Sequence, residues 1–217
     1  SKKSLFIRNF GVLQVTKMGL ILTKDRILNI FDLLLGSKLL KSKKSVEAFC
    51  NYNKLPFFKE KNVNNKEFVS KLKDLDLDLI VSFSAPSIFK SELLSLPKKG
   101  CINLHCSLLP KYSGILPSFW TLYNDEKETG ATVHFMDDEI DNGDILGQKS
   151  VQILKTDSMF DIIKRTKKTG GTLMVDVIHN IMTNNIKLIK NKVNHEKYHS
   201  WPTDLDFKNF AKKRKLI

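Results

Sequence analysis

An asparagine and a histidine lie two positions apart in the apolar segment "GCINLHC", residues 100–106. The segment predicts a β-strand, and side chains at positions i and i+2 of a strand point to the same face. Asn103 and His105 therefore share a face. An imidazole can carry a proton near neutral pH, and an amide can both donate and accept hydrogen bonds. The pair at the end of an apolar strand indicates a functional site.

The surroundings of Asn103 and His105 decide whether the pair has a structural or a functional role. A buried polar group without a partner costs about 1–3 kcal/mol, so both side chains must be hydrogen-bonded or exposed in a cleft. A Pro-containing loop begins soon after His105, and open α/β sheets bind ligands at the carboxyl ends of their strands. From spacing alone, a purely structural His105 remains an equal alternative.

A second loop, "DEIDNGD", follows another predicted strand and is rich in acids. If the strands are parallel, this loop lies at the same edge of the sheet as His105. Spacing does not choose among its carboxylates, and a solvated turn is the ordinary alternative. The acids of the loop are Asp137, Asp138, Glu139, Asp141 and Asp144.

The remaining reactive side chains give weaker signals. Cys106 follows His105 directly, so on a strand it faces away from the histidine and is predicted to be packed rather than nucleophilic. His134 alternates with apolar residues and is predicted to pack in the core or behind the site. His179, His195 and His199 lie in helical or tail segments where the sequence offers them no partner.

From residue 45 onward the pattern alternates helices and strands, which predicts an α/β fold with a doubly wound, mostly parallel sheet. A long helix is predicted after a Thr156/Asp157 cap, with Gly170 and Gly171 weakening its middle. The last residues, 209–217, predict a short basic helix or a frayed end. Further helices are predicted at 45–53 (capped by Ser45), 65–77, 87–96 and 116–124, and strands at 55–60, 78–84, 100–106, 129–137 and 148–153.

The chain of 217 residues has a formal net charge of +13, which favours an anionic partner such as a phosphate, a nucleic acid or a membrane surface. Charges interrupt the apolar stretches of residues 16–44, so no transmembrane helix is predicted there. This stretch is predicted to be a basic amphipathic helix that packs on the domain or lies peripherally on a membrane. Three cysteines without metal-ligand spacing favour the reducing cytoplasm and no metal site.

No glycine-rich motif for a dinucleotide or a P-loop nucleotide occurs. Residues 1–44 also show none of the strand, turn and helix with which a doubly wound fold usually opens. The first strands are therefore expected to be missing or diverged. We expect three segments: a basic amphipathic N-terminal segment (1–44), a core (45–190) and a basic C-terminal tail (191–217).

Two motifs together resemble a known family. The segment "GCINLHCSLLPKYSG" followed by "KETGATVHFMDDEIDNGDIL" is similar to the catalytic core of the folate-dependent formyltransferases. This group includes the methionyl-tRNA, glycinamide ribonucleotide and sugar N-formyltransferases. The resemblance covers residues 45–155 and implies a Rossmann-like core, 10-formyltetrahydrofolate as formyl donor, a primary amine as acceptor and no metal.

The resemblance also implies the site residues. Asn103 and a protonated His105 would stabilise the oxyanion that forms on the formyl group, and Asp141 would orient His105 or relay protons through water. The implied donor-binding residues are Pro86, Ser87, Ile88, Ile140 and Asp141, and the implied acceptor-binding residues are Ser107, Lys111, Tyr112 and Gly114. The family usually has an arginine where this chain has Ser113, so one basic contact to the acceptor is absent or replaced.

The acceptor implied by the resemblance is an amino sugar on a nucleotide or lipid carrier, as in surface-polysaccharide biosynthesis. The ending "YHSWPTDLDFKNF" is similar to that of the small sugar enzymes. Methionyl-tRNA is the alternative acceptor, although the sequence after Asp141 shows no run of strands for the β-barrel of those enzymes. A second alternative is a folate-binding or membrane-associated module without activity.

Overall fold

The computed structural model describes residues 2–34, 45–193 and 198–217. The chain divides into two compact units, one reaching to Lys61 and including Ile217, and one formed by residues 62–216. All of the predicted site residues lie in the second unit.

The first unit contains two helices. Helix α1 (Lys2–Leu34) is interrupted at Gly11, whose φ of 76° breaks the helical geometry. Apolar residues such as Leu13, Leu20 and Phe31 are exposed on it. No described helix is long and apolar enough to cross a membrane. The predicted membrane contact of residues 16–44 stays a prediction, and its part from 35 to 44 lies outside the described residues.

Helix α2 (Val46–Asn53) begins at the predicted cap, where the Ala48 N–H donates to Ser45 Oγ over 3.1 Å. The structure shows irregular backbone at residues 55–60, so the prediction of a strand there is wrong. All six residues are exposed, so the segment gains no burial from the apolar side chains that suggested a strand. Pro56 also lacks the N–H that a strand would pair.

A four-stranded sheet forms the centre of the second unit, with β1 (Ile80–Phe83), β2 (Cys101–His105), β3 (Glu128–Phe135) and β4 (Ile145–Gln152) in this order. The α/β fold is confirmed, but the sheet is mixed. Only β1 and β2 pair in parallel, whereas β2–β3 and β3–β4 are antiparallel. The connection from β3 to β4 is too short for a parallel crossover, which takes about a dozen residues or more.

Helix α6 (Met159–Met182) packs on one face of this sheet. Its N-cap is Ser158, in a capping box with Asp161, and not the predicted Thr156/Asp157. Gly170 is buried, and a Cβ added there would lie 2.6 Å from Leu104 Cδ1, so the glycine allows the helix to approach β2 closely. The core between helix and sheet contains Ile102, Leu104, Ala131, Val133, Leu173, Met174, Val177 and Ile181.

Four shorter helices complete the second unit. They are α3 (Lys66–Lys73), α4 (Ser91–Leu94), α5 (Pro117–Tyr123) and α7 (Asp204–Lys213). The prediction for residues 209–217 is confirmed only in part: residues 209–213 are helical, residues 214–217 are not, and the helix begins earlier than expected, at a Thr203 cap. Phe207 and Phe210 of α7 are fully buried, and both rings lie within 5.0 Å of the Phe119 ring in α5. The tail is therefore part of the fold.

Candidate active site

Strand β2 places Asn103 and His105 on one cavity wall. The strand is central in the sheet: Asn103 lies beside Ser82 of β1 and beside His134 of β3. The side chain of His105 is 7% exposed, so its polar atoms need partners within the fold.

Asp141 approaches the two side chains from the loop between β3 and β4. Its Oδ2 lies 3.3 Å from His105 Nδ1 and accepts a hydrogen bond from the Gly114 N–H over 2.7 Å. The loop lies close to His105 as expected, but the expected reason, parallel strands, was wrong. Strand β3 is antiparallel to β2 and ends beside Ile102, so the loop has to fold back along the sheet to bring Asp141 to His105.

Close backbone packing holds this loop. Asp141 has a φ of 54°, and a Cβ added to Gly143 would lie 2.0 Å from the Phe135 carbonyl oxygen. Asn191, which is 5% exposed, donates from Nδ2 to the carbonyls of Asp141 over 2.8 Å and of Gly143 over 3.1 Å. Asn191 could not be predicted from the sequence, because a single asparagine in the stretch "KLIKNKV" has no informative spacing to other polar residues.

His134 supports Asn103 from the neighbouring strand. It is 2% exposed, its Nδ1 lies 2.7 Å from the Phe135 carbonyl oxygen and its Nε2 lies 3.3 Å from Asn103 Nδ2. The same Nε2 lies 3.6 Å from Asp141 Oδ1, so the ring contacts both Asn103 and Asp141. This arrangement orients the Asn103 amide and agrees with the predicted position of His134 behind the site.

The prediction for His199 was wrong. Its N–H donates to the Ser113 carbonyl over 3.0 Å, and its carbonyl accepts from the Ile115 N–H over 2.7 Å. The ring lies 4.9 Å from the Tyr112 ring. These contacts join segments far apart in sequence, which no local pattern indicates. His195 lies outside the described residues, and His179 is exposed on α6.

The loop after β2 contains the four predicted acceptor-binding residues. Of these, only Gly114 lines the cavity. The buried Ser107 hydroxyl donates to the Lys111 carbonyl over 2.9 Å, and the Tyr112 hydroxyl donates to Glu126 over 2.7 Å. The Lys111 side chain is exposed, with its ammonium 4.0 Å from Glu126. Acceptor binding by this group stays a prediction.

Burial and nearby charges set the protonation of the site. Burial lowers the pKa of His105, and the Asp141 carboxylate and the Tyr112 carbonyl, 2.8 Å from Nε2, raise it without cancelling that effect. Burial raises the pKa of Asp141, but His105, His134 and the Gly114 N–H outweigh it, so this pKa lies below its usual value. Cys106 was predicted to pack away from His105, but it is half-buried and also lines the cavity. Burial raises the pKa of its thiol.

We expect Asp141→Asn to lower the pKa of His105 further, since the substitution removes the carboxylate that raises it. A histidine with a lowered pKa in the folded state stabilises the fold fully above its unfolded pKa of about 6.5 and loses that contribution as the pH falls. In Asp141→Asn the folded-state pKa of His105 is lower still, so the loss of stability continues to a lower pH. NMR titration of the His105 ring and urea unfolding between pH 4 and 8 check both statements.

A variant in which the His105 titration moves to higher pH, or does not move, would contradict this electrostatic coupling. Asp176→Asn on α6 is a suitable control, because its exposed carboxylate pairs with Lys149 and does not line the cavity.

All three residues of the predicted catalytic set line a cavity of about 710 Å³. So do the predicted donor-binding residues Pro86, Ser87, Ile88 and Ile140. Small-molecule sites usually occupy about 300–1,000 Å³. Within residues 2–34, 45–193 and 198–217, no three histidine, cysteine or acidic side chains are arranged to hold a metal ion.

Comparison with known sequences finds relatives that match part of this chain. The chain is 37% identical over 134 residues to a methionyl-tRNA formyltransferase of Desulforamulus reducens, an alignment that covers 62% of this chain and 42% of the relative. It is 39% identical over 137 residues to the bifunctional polymyxin resistance protein ArnA of Wigglesworthia glossinidia brevipalpis, covering 63% of this chain and 21% of that protein. The chain thus spans less than half the length of these relatives.

Solved structures share the fold. A sugar N-formyltransferase from a Shewanella species matches with a TM-score of 0.53 and 32% identity, covering 64% of this chain and 54% of that one. An N-formyltransferase from Helicobacter canadensis matches with a TM-score of 0.61 and 23% identity, covering 83% of this chain and 66% of that one. The family model described as "Formyl transferase" matches residues 31–178, more than half of the chain. The chain therefore belongs to the formyl transferase family.

Proposed function

We propose that this protein transfers a formyl group from 10-formyltetrahydrofolate to a primary amine. The observation that carries the proposal is the convergence of Asn103, His105 and Asp141 on one cavity. An amide donor, an imidazole and a carboxylate on one cavity wall are the groups that an acyl transfer from one nitrogen to another needs.

The cavity suits the donor. Its walls combine apolar side chains, among them Pro86, Ile88 and Ile140, with polar ones such as Asn103 and Asp141. A flat, partly polar ring system such as a folate binds in walls of this kind, where convergent polar groups fix its orientation. When bound, the donor supplies the formyl carbon that the amine attacks.

His105 and Asp141 together handle the proton in this proposal. Burial lowers the pKa of His105, so the neutral ring prevails before the reaction. With its proton on Nε2, which donates to the Tyr112 carbonyl, the ring can accept the proton that leaves the amine nitrogen at Nδ1, beside Asp141. The resulting imidazolium lies beside the Asp141 carboxylate and can donate to both Asp141 and the Tyr112 carbonyl. The same proton then returns to the folate nitrogen as its bond to the formyl carbon breaks.

Asn103 stabilises the negative charge that develops on the formyl oxygen. One N–H of its amide points to His134 Nε2, which leaves the second N–H for the substrate. The protonated His105 adds positive charge nearby. The protonated His105 of the sequence-based expectation thus forms during the reaction rather than before it.

We further propose that the acceptor is an amino sugar on a nucleotide or lipid carrier. The 32% identity to the Shewanella sugar N-formyltransferase supports this acceptor. The net charge of +13 suits the phosphates of either carrier. Methionyl-tRNA is the second candidate, favoured by the 37% identity to the Desulforamulus enzyme, and it would bring a steep salt dependence of binding.

The test is mass spectrometry of a panel of amines incubated with the protein and 10-formyltetrahydrofolate. The panel contains nucleotide-linked amino sugars, methionyl-tRNA and glycinamide ribonucleotide. A mass gain of one formyl group on an amino sugar supports both proposals, and a gain on methionyl-tRNA alone refutes the sugar acceptor. Folate binding without formylation of any amine would refute the enzyme and favour a binding module.

A further inference from the structure

Ser82 is a buried polar residue at the centre of the cavity wall that the proposed reaction has not used. It lies on β1, directly beside Asn103 of β2. Its side chain is 4% exposed and lines the cavity. Within the part of the chain that the structure describes, its Oγ has no hydrogen-bond partner.

A buried hydroxyl without a hydrogen-bond partner destabilises the unliganded fold. Buried hydroxyls almost always have a partner, because losing water without gaining a hydrogen bond costs free energy. An alanine or valine at this position of an apolar strand would avoid that cost. A group inside the cavity can supply the missing partner, since the hydroxyl both donates and accepts.

The position of Ser82 points to the formyl donor as that partner. Adjacent strands are about 4.8 Å apart, so the hydroxyl lies next to the amide that receives the formyl oxygen in the proposed reaction. The chain then passes from β1 directly into Pro86, Ser87 and Ile88, which line the same cavity. Ser82 thus joins the predicted donor wall to Asn103.

We propose that the Ser82 hydroxyl hydrogen-bonds the formyl donor at its formyl-bearing end. This inference rests on the proposed function, because it takes the cavity to be the folate site. The Ser82 hydroxyl would then lower the stability of the unliganded fold and raise the affinity for the donor. The contact involves no covalent step and leaves the proton transfer by His105 unchanged.

The experiment compares Ser82→Ala with Thr129→Val. Thr129 is a matched control: it lies on β3 of the same sheet, is 1% exposed, and its Oγ1 also lacks a partner among the described residues. It does not line the cavity. Both substitutions remove a buried hydroxyl that makes no internal hydrogen bond, so neither variant should melt below the wild type.

Calorimetric titration with 10-formyltetrahydrofolate, in the absence of any acceptor amine, and with tetrahydrofolate gives the decisive readout. We expect Ser82→Ala to bind 10-formyltetrahydrofolate about ten-fold more weakly, as the loss of one hydrogen bond implies, and Thr129→Val to bind it like the wild type. A larger loss for 10-formyltetrahydrofolate than for tetrahydrofolate supports a contact at the formyl group. Wild-type affinity of Ser82→Ala for both folates would overturn the proposal.

The same titration separates this inference from the proposed function. If the wild type binds neither folate, the folate site itself is refuted. If the wild type binds and Ser82→Ala binds equally well, only the role of Ser82 is refuted. Equal losses in Ser82→Ala and Thr129→Val would also refute it, because the effect would then arise from the sheet and not from the cavity.

Discussion

Replacing His105 with alanine is expected to lower the rate of formyl transfer by about 10²–10⁴-fold, the usual contribution of a positioned acid–base group. The substitution removes the ring whose Nδ1 lies 3.3 Å from Asp141 Oδ2, and with it the acceptor for the amine proton. Folate binding should change little, because His105 is one of many residues that line the cavity. Single-turnover kinetics and a folate titration measure the two quantities separately.

The pH dependence strengthens this test. Because burial lowers the pKa of His105, the wild type should lose activity only on the acid side, as the ring becomes protonated before the amine attacks. The residual activity of His105→Ala should lack that acid limb. His179→Ala serves as control, since His179 is exposed on α6 and does not line the cavity.

Two results would contradict the role of His105. A variant within a few-fold of the wild-type rate would remove it from the chemistry. A variant that loses folate binding and rate in the same proportion would make it a binding residue. His179→Ala losing as much activity as His105→Ala would show that the assay reports on folding instead.

Local patterns were sufficient to place Asn103 and His105 relative to each other, because the period of a β-strand puts both on one face. Asp141 was identified by the resemblance to a family, since spacing did not choose among the acids of its loop. The catalytic roles of the three residues stay predictions. The four strands of the sheet and the Ser45 cap of helix α2 also followed from local patterns, whereas the cap of helix α6 did not.

The contacts that complete the site could not be predicted from the sequence. Asn191 binds the Asp141 backbone across 50 positions of the chain, and the unpartnered hydroxyl of Ser82 is visible only once its surroundings are known. The direction of β3 was also misjudged, because helix–strand alternation favours parallel pairs and says nothing of a loop that folds back. Long-range packing, not local propensity, decides such features.

Asn103→Asp is expected to lower the rate of formyl transfer by about 10²–10³-fold, as the loss of one oxyanion donor does in other acyl-transfer enzymes. The substitution keeps the size of the side chain but removes both N–H donors. It also places a second carboxylate on the cavity wall that Asp141 shares, where negative charge has to develop. Folate affinity should fall far less than the rate.

A matched control separates the lost donors from the added charge. Asn185→Asp introduces the same charge at an exposed position that does not line the cavity, and should react like the wild type. Asn103→Ala removes the donors without adding charge, so it should lose nearly as much activity as Asn103→Asp if the hydrogen bond is what matters. An Asn103→Ala variant with near-normal turnover would remove Asn103 from the reaction and leave the loss in Asn103→Asp to charge repulsion alone.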